Sequence, residues 1–336
     1  MPSQSIPLRC FSKFLCAVTL FLILLGALVK STESGLSVPD WPTTYGKFMF
    51  AYPLDKMAGG IKYEHTHRML ASIVGLLTLI LTLWLLRIQT LPVWIKRLGI
   101  FAFLTVVAQG VLGGLTVKFF LPVWLSTVHG VLAQTFFLIV ILIAYALSME
   151  RRYRWNMEDE SYNPRVLRSA IILMVMIYVQ LIIGNVMRHA QAGLAVPDFP
   201  TMGGTIFPAF DQAWLNRINA YLFENNLAPV TIGQVGVHLL HRFWALLILI
   251  NILWLNTIVY KECLDRPLLI KTLYWLNIAV ILQIAFGIAT VLAHKEVYTT
   301  TLHVTMGAIV LGLSFLMVLR VSPLTWRQFK TLLIKR

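Results

Sequence analysis

Four histidines carry the first chemical signal. His67, His129, His241 and His303 each stand near the beginning of a long apolar stretch. Ligating or ionisable side chains inside membrane helices are costly, so they need a reason. A lone histidine in such a helix is most often a hydrogen-bonded packing residue, and that reading stays open for each one singly. Four at positions that repeat within the chain ask for more. Neutral imidazoles that face each other across a helix bundle form a natural axial pair for haem iron. Zinc would want a third or fourth tetrahedral ligand, and no nearby Cys or Asp cluster supplies one. Each half of the chain therefore reads as one haem pocket, with His67 paired to His129 and His241 to His303.

Three further residues belong with these pairs. Arg68 and Arg242 directly follow two of the histidines, where a guanidinium can pair with haem propionates or reach out to lipid headgroups. Glu64 precedes His67 by three residues, which on a continuous helix puts both on nearly one face. The matching residue in the second half is His238, so one pocket gains a carboxyl group that the other lacks. Such a group can relay protons, or it can simply sit at a wet helix start where the dipole favours it. His65 points away from the His67 face. His189 and His294 fall at outer helix ends, where a solvated role is expected. Gly113, Gly114 and Gly287 are expected to allow close helix or haem approach.

The elements that must position these residues are membrane spans. Of 336 residues, 58% are hydrophobic and 12% charged, against about 25% charged in soluble domains. Eight stretches reach spanning length, over residues 14–32, 65–86, 98–117, 123–148, 166–187, 235–259, 270–293 and 298–320. An even number of spans predicts both termini on one side. Arg9, Lys13, Arg87, Lys96, Arg97, Arg151, Arg152, Arg154, Arg165, Arg168, Lys261, Arg266, Lys271 and the basic tail from Arg320 to Arg336 then share that side, which makes it cytoplasmic. The net charge of +14 has this plain cause. Without a basic stripe elsewhere it gives no ground for nucleic-acid binding. Cys10, Cys16 and Cys263 fall in a reducing compartment at spacings that suit no metal.

The chain repeats itself. Gly35-Leu-Ser-Val-Pro-Asp-Trp-Pro42 returns as Gly193-Leu-Ala-Val-Pro-Asp-Phe-Pro200, an offset of 158 shared by Gly26 and Gly184. His67-Arg68 matches His241-Arg242, Gln109 matches Gln283 and His129 matches His303, all at an offset of 174. The 16-residue difference between those offsets falls around Asp211 to Thr231. Two constant offsets over four helices indicate internal duplication with parallel topology. The expected fold is all-α and integral to the membrane: eight transmembrane helices as two pseudo-symmetric four-helix bundles, over residues 10–150 and 166–325, joined by a cytoplasmic linker at 151–165. A counterpart in mid-chain also argues against reading the first stretch as a cleaved signal peptide. The outer loops 33–62 and 188–232 are long and rich in aromatics, which fits an interfacial belt or a cover over a ligand.

Taken together, Glu64-His-Thr-His67-Arg68, the paired Gly-Leu-x-Val-Pro-Asp-Trp/Phe-Pro loops, His238-Leu-Leu-His241-Arg242, His129 and His303 resemble the haem A synthase family over nearly the whole chain. The resemblance implies two pseudo-twofold related halves and oxidation of the C8 methyl group of haem O to a formyl group, giving haem A for terminal oxidases. It implies dioxygen-dependent successive hydroxylations to a diol that loses water. Carried over by position, Glu64 resembles the family's catalytic carboxylate. His67 and His129 resemble the ligands of the substrate haem, and His241 and His303 those of a b-type haem whose iron passes electrons. Some members carry a cysteine pair in the first outer loop. Here Val38 and Thr44 occupy that region, so a thiol step or disulfide there is excluded.

The implied partners are haem O, a membrane electron donor and a haem O synthase, with a homo-oligomer as one option. The implied location is the cell inner membrane, or the mitochondrial inner membrane in a eukaryote, with the haem sites toward the outer face. Two other functions compete: a two-haem b-type cytochrome that only moves electrons, and a haem transporter or chaperone. The contrast of Glu64 with His238 is the sequence feature that separates the first reading from these, since a symmetrical carrier has no need of it.

Overall fold

The computed structural model describes residues 5–156 and 163–322. Among them all regular structure is helical, apart from the isolated bridges Thr44–Lys47 and Met202–Thr205. Eight helices are long and apolar enough to cross a membrane. They are α1 (Ile6–Ser31), α2 (Gly60–Arg87), α3 (Val93–Lys118), α4 (Val123–Ala146), α6 (Pro164–His189), α8 (Ile232–Glu262), α9 (Pro267–Leu292) and α10 (Val297–Val321). Two short helices lie between them, α5 (Met149–Asn156) and α7 (Gln212–Glu224). The sequence expectation of eight spans holds, with most helices extending a few residues beyond the apolar stretches. Residues 157–162 of the expected linker, and the basic tail beyond Ser322, lie outside the described residues.

Helix ends follow local chemistry. Pro7, Pro164 and Pro267 occupy first-turn positions, where the missing N–H is no loss. Thr231 and Gln234 form a reciprocal capping box at the start of α8. Asp211 caps α7 and Glu296 caps α10 through their side chains. Leu76, Leu104, Ile250 and Ile281 turn outward as exposed apolar side chains, the surface that lipid would cover.

In the first half α1 packs on α2 and α4, α2 on α3 and α3 on α4; in the second, α6 packs on α8 and α10, and α9 on α10. The halves meet where α1 touches α10, α4 touches α6 and α4 touches α10. One pairing differs, because α8 and α9 touch only sparsely while α2 and α3 pack closely. The cause is side-chain size. Gly99 lets α3 approach until Thr82 Oγ1 donates to its carbonyl at 2.8 Å. The residues 174 further on are Leu273 and Asn256. Asn256 and Asn277 instead bridge α8 to α9 by exchanging amide hydrogen bonds of 2.9 and 2.7 Å.

Candidate functional site

The four histidines project from α2, α4, α8 and α10. Each ring is packed between helices yet stays partly exposed. His241 and His303 face each other with ring centres 6.4 Å apart and planes at 68°. Two metal–imidazole bonds of about 2.0 Å, each extended by about 1.1 Å from nitrogen to ring centre, would separate rings on opposite sides of a metal by roughly 6.2 Å. The second-half pair therefore fits a metal held between its rings. His67 and His129 lie within electrostatic reach of each other.

Ring nitrogens support the same assignment. His303 Nδ1 lies 3.1 Å from the Gln283 carbonyl. A carbonyl only accepts, so Nδ1 carries the proton and Nε2 keeps its lone pair for a metal. Nδ1 of His67, His129 and His241 is buried with no hydrogen-bond partner. Nearby glutamines fix the helix backbone instead. Gln109 Nε2 donates to the His129 carbonyl at 2.8 Å, and Gln180 Nε2 to that of His241 at 2.9 Å. Among the described residues no three His, Cys, Asp or Glu side chains converge as a metal cluster. The pocket chemistry is that of paired imidazoles.

Glu64 and the two arginines face the outer loops. Arg68 Nη2 donates to Glu64 Oε1 at 2.6 Å and to the Val38 carbonyl at 2.8 Å, and Nη1 donates to the Asp40 carbonyl at 2.6 Å. Glu64 Oε2 accepts the Val38 N–H at 2.8 Å. In the second half Arg242 Nη2 donates to the carbonyls of Val196 and Asp198 at 2.9 and 2.8 Å, while its Nε donates to His238 Nε2 at 3.0 Å. His238 Nδ1 completes the parallel on the Ala192 carbonyl at 3.0 Å. Glu64 and His238 thus do one architectural job, each tying a helix-borne arginine to the loop above its pocket. They remain a carboxylate and an imidazole, so the chemical contrast between the two positions stands beside this shared role. Most N–H groups of Arg68 and Arg242 are taken up by loop carbonyls, so a propionate would have to share them.

The loops themselves are built on Asp40 and Asp198. Asp198 accepts from Thr201 Oγ1 and from the N–H groups of Gly203 and Gly204 at 2.6–2.8 Å. Asp40 accepts from Thr43 and from the N–H groups of Tyr45 and Gly46. Burial opposes charge at both, but these hydrogen bonds outweigh it and hold each carboxyl below the ordinary range. His65 also serves the loop, with Nδ1 3.1 Å from Thr44 Oγ1 and its ring against Tyr52. Trp41 lies directly on Gly114, whose bare backbone leaves room for the indole. His294 and Lys295 form the α9–α10 turn in the left-handed region. Arg188, at the end of α6, ties the halves by donating to the Ala27 carbonyl at 2.6 Å and to Ser31 Oγ at 3.0 Å. The neighbouring His189 reaches His129 electrostatically.

The two pockets are covered unequally. Helix α7 buries Trp214, Ile218 and Leu222 on Ala192, Ala195, Val196, Val235 and Leu239, and Trp214 Nε1 donates to the Met202 carbonyl at 3.0 Å. Leu194 is consequently 6% exposed, whereas its repeat equivalent Leu36 is 42% exposed. A cover was one reading of loop 188–232 in the sequence, but the helix α7 within it was not expected. The spacing of Trp214, Ile218 and Leu222 behind a capping Asp211 was the available signal.

Comparison with known proteins follows the same span. The profile of a cytochrome oxidase assembly protein family, COX15-CtaA, matches residues 9–315. Among similar curated proteins, one named heme A synthase from Wolbachia sp. subsp. Brugia malayi is 25% identical, covering 91% of this chain and 95% of its own. A heme A synthase from Symbiobacterium thermophilum is 27% identical over 88% of this chain and 89% of its own. Another from Halalkalibacterium halodurans is 27% identical over 90% and 93%.

Proposed function

The chain belongs to the COX15-CtaA family of cytochrome oxidase assembly proteins, and from that premise we propose that it is a haem A synthase, an oxidoreductase that converts the C8 methyl group of haem O to the formyl group of haem A. The 6.4 Å spacing of His241 and His303 is the observation that carries the reading to this chain's own residues. Both halves are then pseudo-symmetric four-helix bundles, residues 10–150 and 166–325, with both termini cytoplasmic and the histidines toward the outer face. The protein sits in the cell inner membrane, or the mitochondrial one in a eukaryote.

The two pockets divide the work. The second, closed by α7, retains a b-type haem on His241 and His303. The first, under the more open loop around Leu36, exchanges haem O for haem A on His67 and His129. When bound, these groups supply the electron-transfer and oxygen chemistry. The chain's own side chains orient and shield them. Arg68 and Arg242 hold each outer loop over its pocket and so limit water. Each Glu64 oxygen keeps lone-pair capacity beyond its present partner, so its carboxylate is the group suited to take up and hand on a proton beside His67. A membrane electron donor reduces the protein, and a haem O synthase supplies the substrate.

The alternative is a plain two-haem electron carrier, in which Glu64 and His238 would only anchor the outer loops. Expression together with a source of haem O, followed by mass analysis of extracted haems, separates the two. Haem A is the expected product; unaltered haem O with a working electron supply would leave only the electron carrier.

A further inference from the structure

Each candidate ligand ring rests on a glycine of the neighbouring helix. A Cβ built on Gly26 of α1 would stand 3.0 Å from His67 Cε1, and one on Gly113 of α3 would stand 3.2 Å from His129 Cε1. In the second half a Cβ on Gly184 of α6 would stand 3.2 Å from His241 Cε1, and one on Gly287 of α9 would stand 2.9 Å from His303 Cε1. The same edge of the ring faces the glycine in all four cases. Gly26 and Gly184 obey the offset of 158, and Gly113 and Gly287 that of 174, so the arrangement is duplicated with the histidines.

A second regularity explains why glycine is needed. In a helix the Cβ tilts toward the N-terminus and covers the turn before it. A residue without Cβ therefore uncovers the carbonyl four positions earlier. Gln283 stands four before Gly287, and its carbonyl is the partner of His303 Nδ1 at 3.1 Å. Leu22 stands four before Gly26 and Gln109 four before Gly113, and their carbonyls lie beside His67 and His129, whereas Nδ1 of His241 has no partner. Gln180 holds the same register before Gly184.

We propose that Gly26, Gly113, Gly184 and Gly287 are positioning residues, each seating an imidazole edge-on against bare helix backbone and so fixing the direction in which its ring nitrogens point. The consequence for the metal rests on the haem reading above; the seating of the rings does not. Other glycines of the spanning helices serve as internal controls, because a Cβ on Gly110 of α3 or Gly236 of α8 meets nothing within 4 Å.

The test uses the purified full chain with Gly184→Ala, Gly287→Ala, Gly110→Ala and Gly236→Ala. Haem content and the low-temperature paramagnetic resonance spectrum are measured for each. Gly184→Ala and Gly287→Ala are expected to shift or lose the low-spin signal and to weaken haem binding about 10–100-fold, with the two controls unchanged. A thermal-unfolding cycle adds Gly184→Ala to a His241→Ala background. With no ring to strike, the added methyl should cost nothing there. Native spectra and haem content in both seat variants would overturn the inference. So would a stability loss from Gly184→Ala that persists without the His241 ring, since the glycine would then serve helix packing alone. A colourless wild-type protein would defeat the haem reading, and the unfolding cycle would still judge the seats.

Discussion

Glu64 and Arg68 form an ion pair whose side chains are only 4% and 9% exposed, beneath a loop that both of them hold. Removing the carboxylate altogether therefore has two effects at once, because Arg68 loses a partner and the Val38 N–H loses its acceptor. Glu64→Gln removes the proton-carrying group and the ion pair but keeps one oxygen that accepts from Val38, while Arg68 stays held by the Val38 and Asp40 carbonyls. We expect Glu64→Gln to bind haem and resist proteolysis of the first outer loop like wild type, yet to form haem A about 10²–10⁴-fold more slowly. Wild-type product formation in that variant would reduce Glu64 to a loop anchor. The histidine pairs were readable from sequence because duplication marked them and because lipid makes a stray imidazole expensive. The destination of Arg68 and Arg242 was not readable, because headgroup, propionate and loop carbonyl all attract a guanidinium at the same depth. Only the folded loop, which turns the carbonyls of Val38 and Asp40 toward Arg68, decides between them.

At the scale of elements, the outer loops are small folded units organised by one aspartate each. Asp40 and Asp198 have their carboxyls held below the ordinary value by hydrogen bonds that only the folded loop supplies. A depressed carboxyl contributes stability that is complete above the unfolded value of about 3.9 and is lost as pH falls through the folded one. Loop order should thus be flat from neutral pH to about pH 5 and decline below about pH 4. Limited proteolysis within 33–62 and 188–232 across that range measures it, and loss of protection already between pH 7 and pH 5 would contradict the assignment. Spans were legible because the length and apolarity of a bilayer-crossing helix leave few alternatives. Helix α7 was missed because its 13 residues fall short of a membrane span and Asn216, Arg217 and Asn219 interrupt its apolar run. Its target, the loop from Ala192 to Val196, is itself irregular. The 16 extra residues between the two repeat offsets were nonetheless visible in the sequence, and they fall where this lid is built.

Across the whole molecule the two halves stand back to back. The helices that carry His129 and His303, α4 and α10, touch each other, so one candidate ligand of each half is borne on a helix of the shared seam. Thr135 Oγ1 meets Tyr178 Oη at 2.6 Å across α4 and α6, and Gly312 of α10 fits against Phe137 and Ile141 of α4. On the proposed reading, this seam would be the route for electrons from the second-half haem to the first. The repeat announced two equivalent halves; the inequality of their lids, and the looser pairing of α8 with α9, came from side-chain volumes that only packing reveals. The account stands or falls on whether paired imidazoles hold haem iron. Paramagnetic resonance at low temperature, on protein purified from cells with ample haem, tests this most directly in wild type and in His67→Ala, His241→Ala and His303→Ala. A low-spin signal that survives His67→Ala and disappears in both His241→Ala and His303→Ala is the predicted result. An undiminished low-spin signal in both of the latter variants would contradict it.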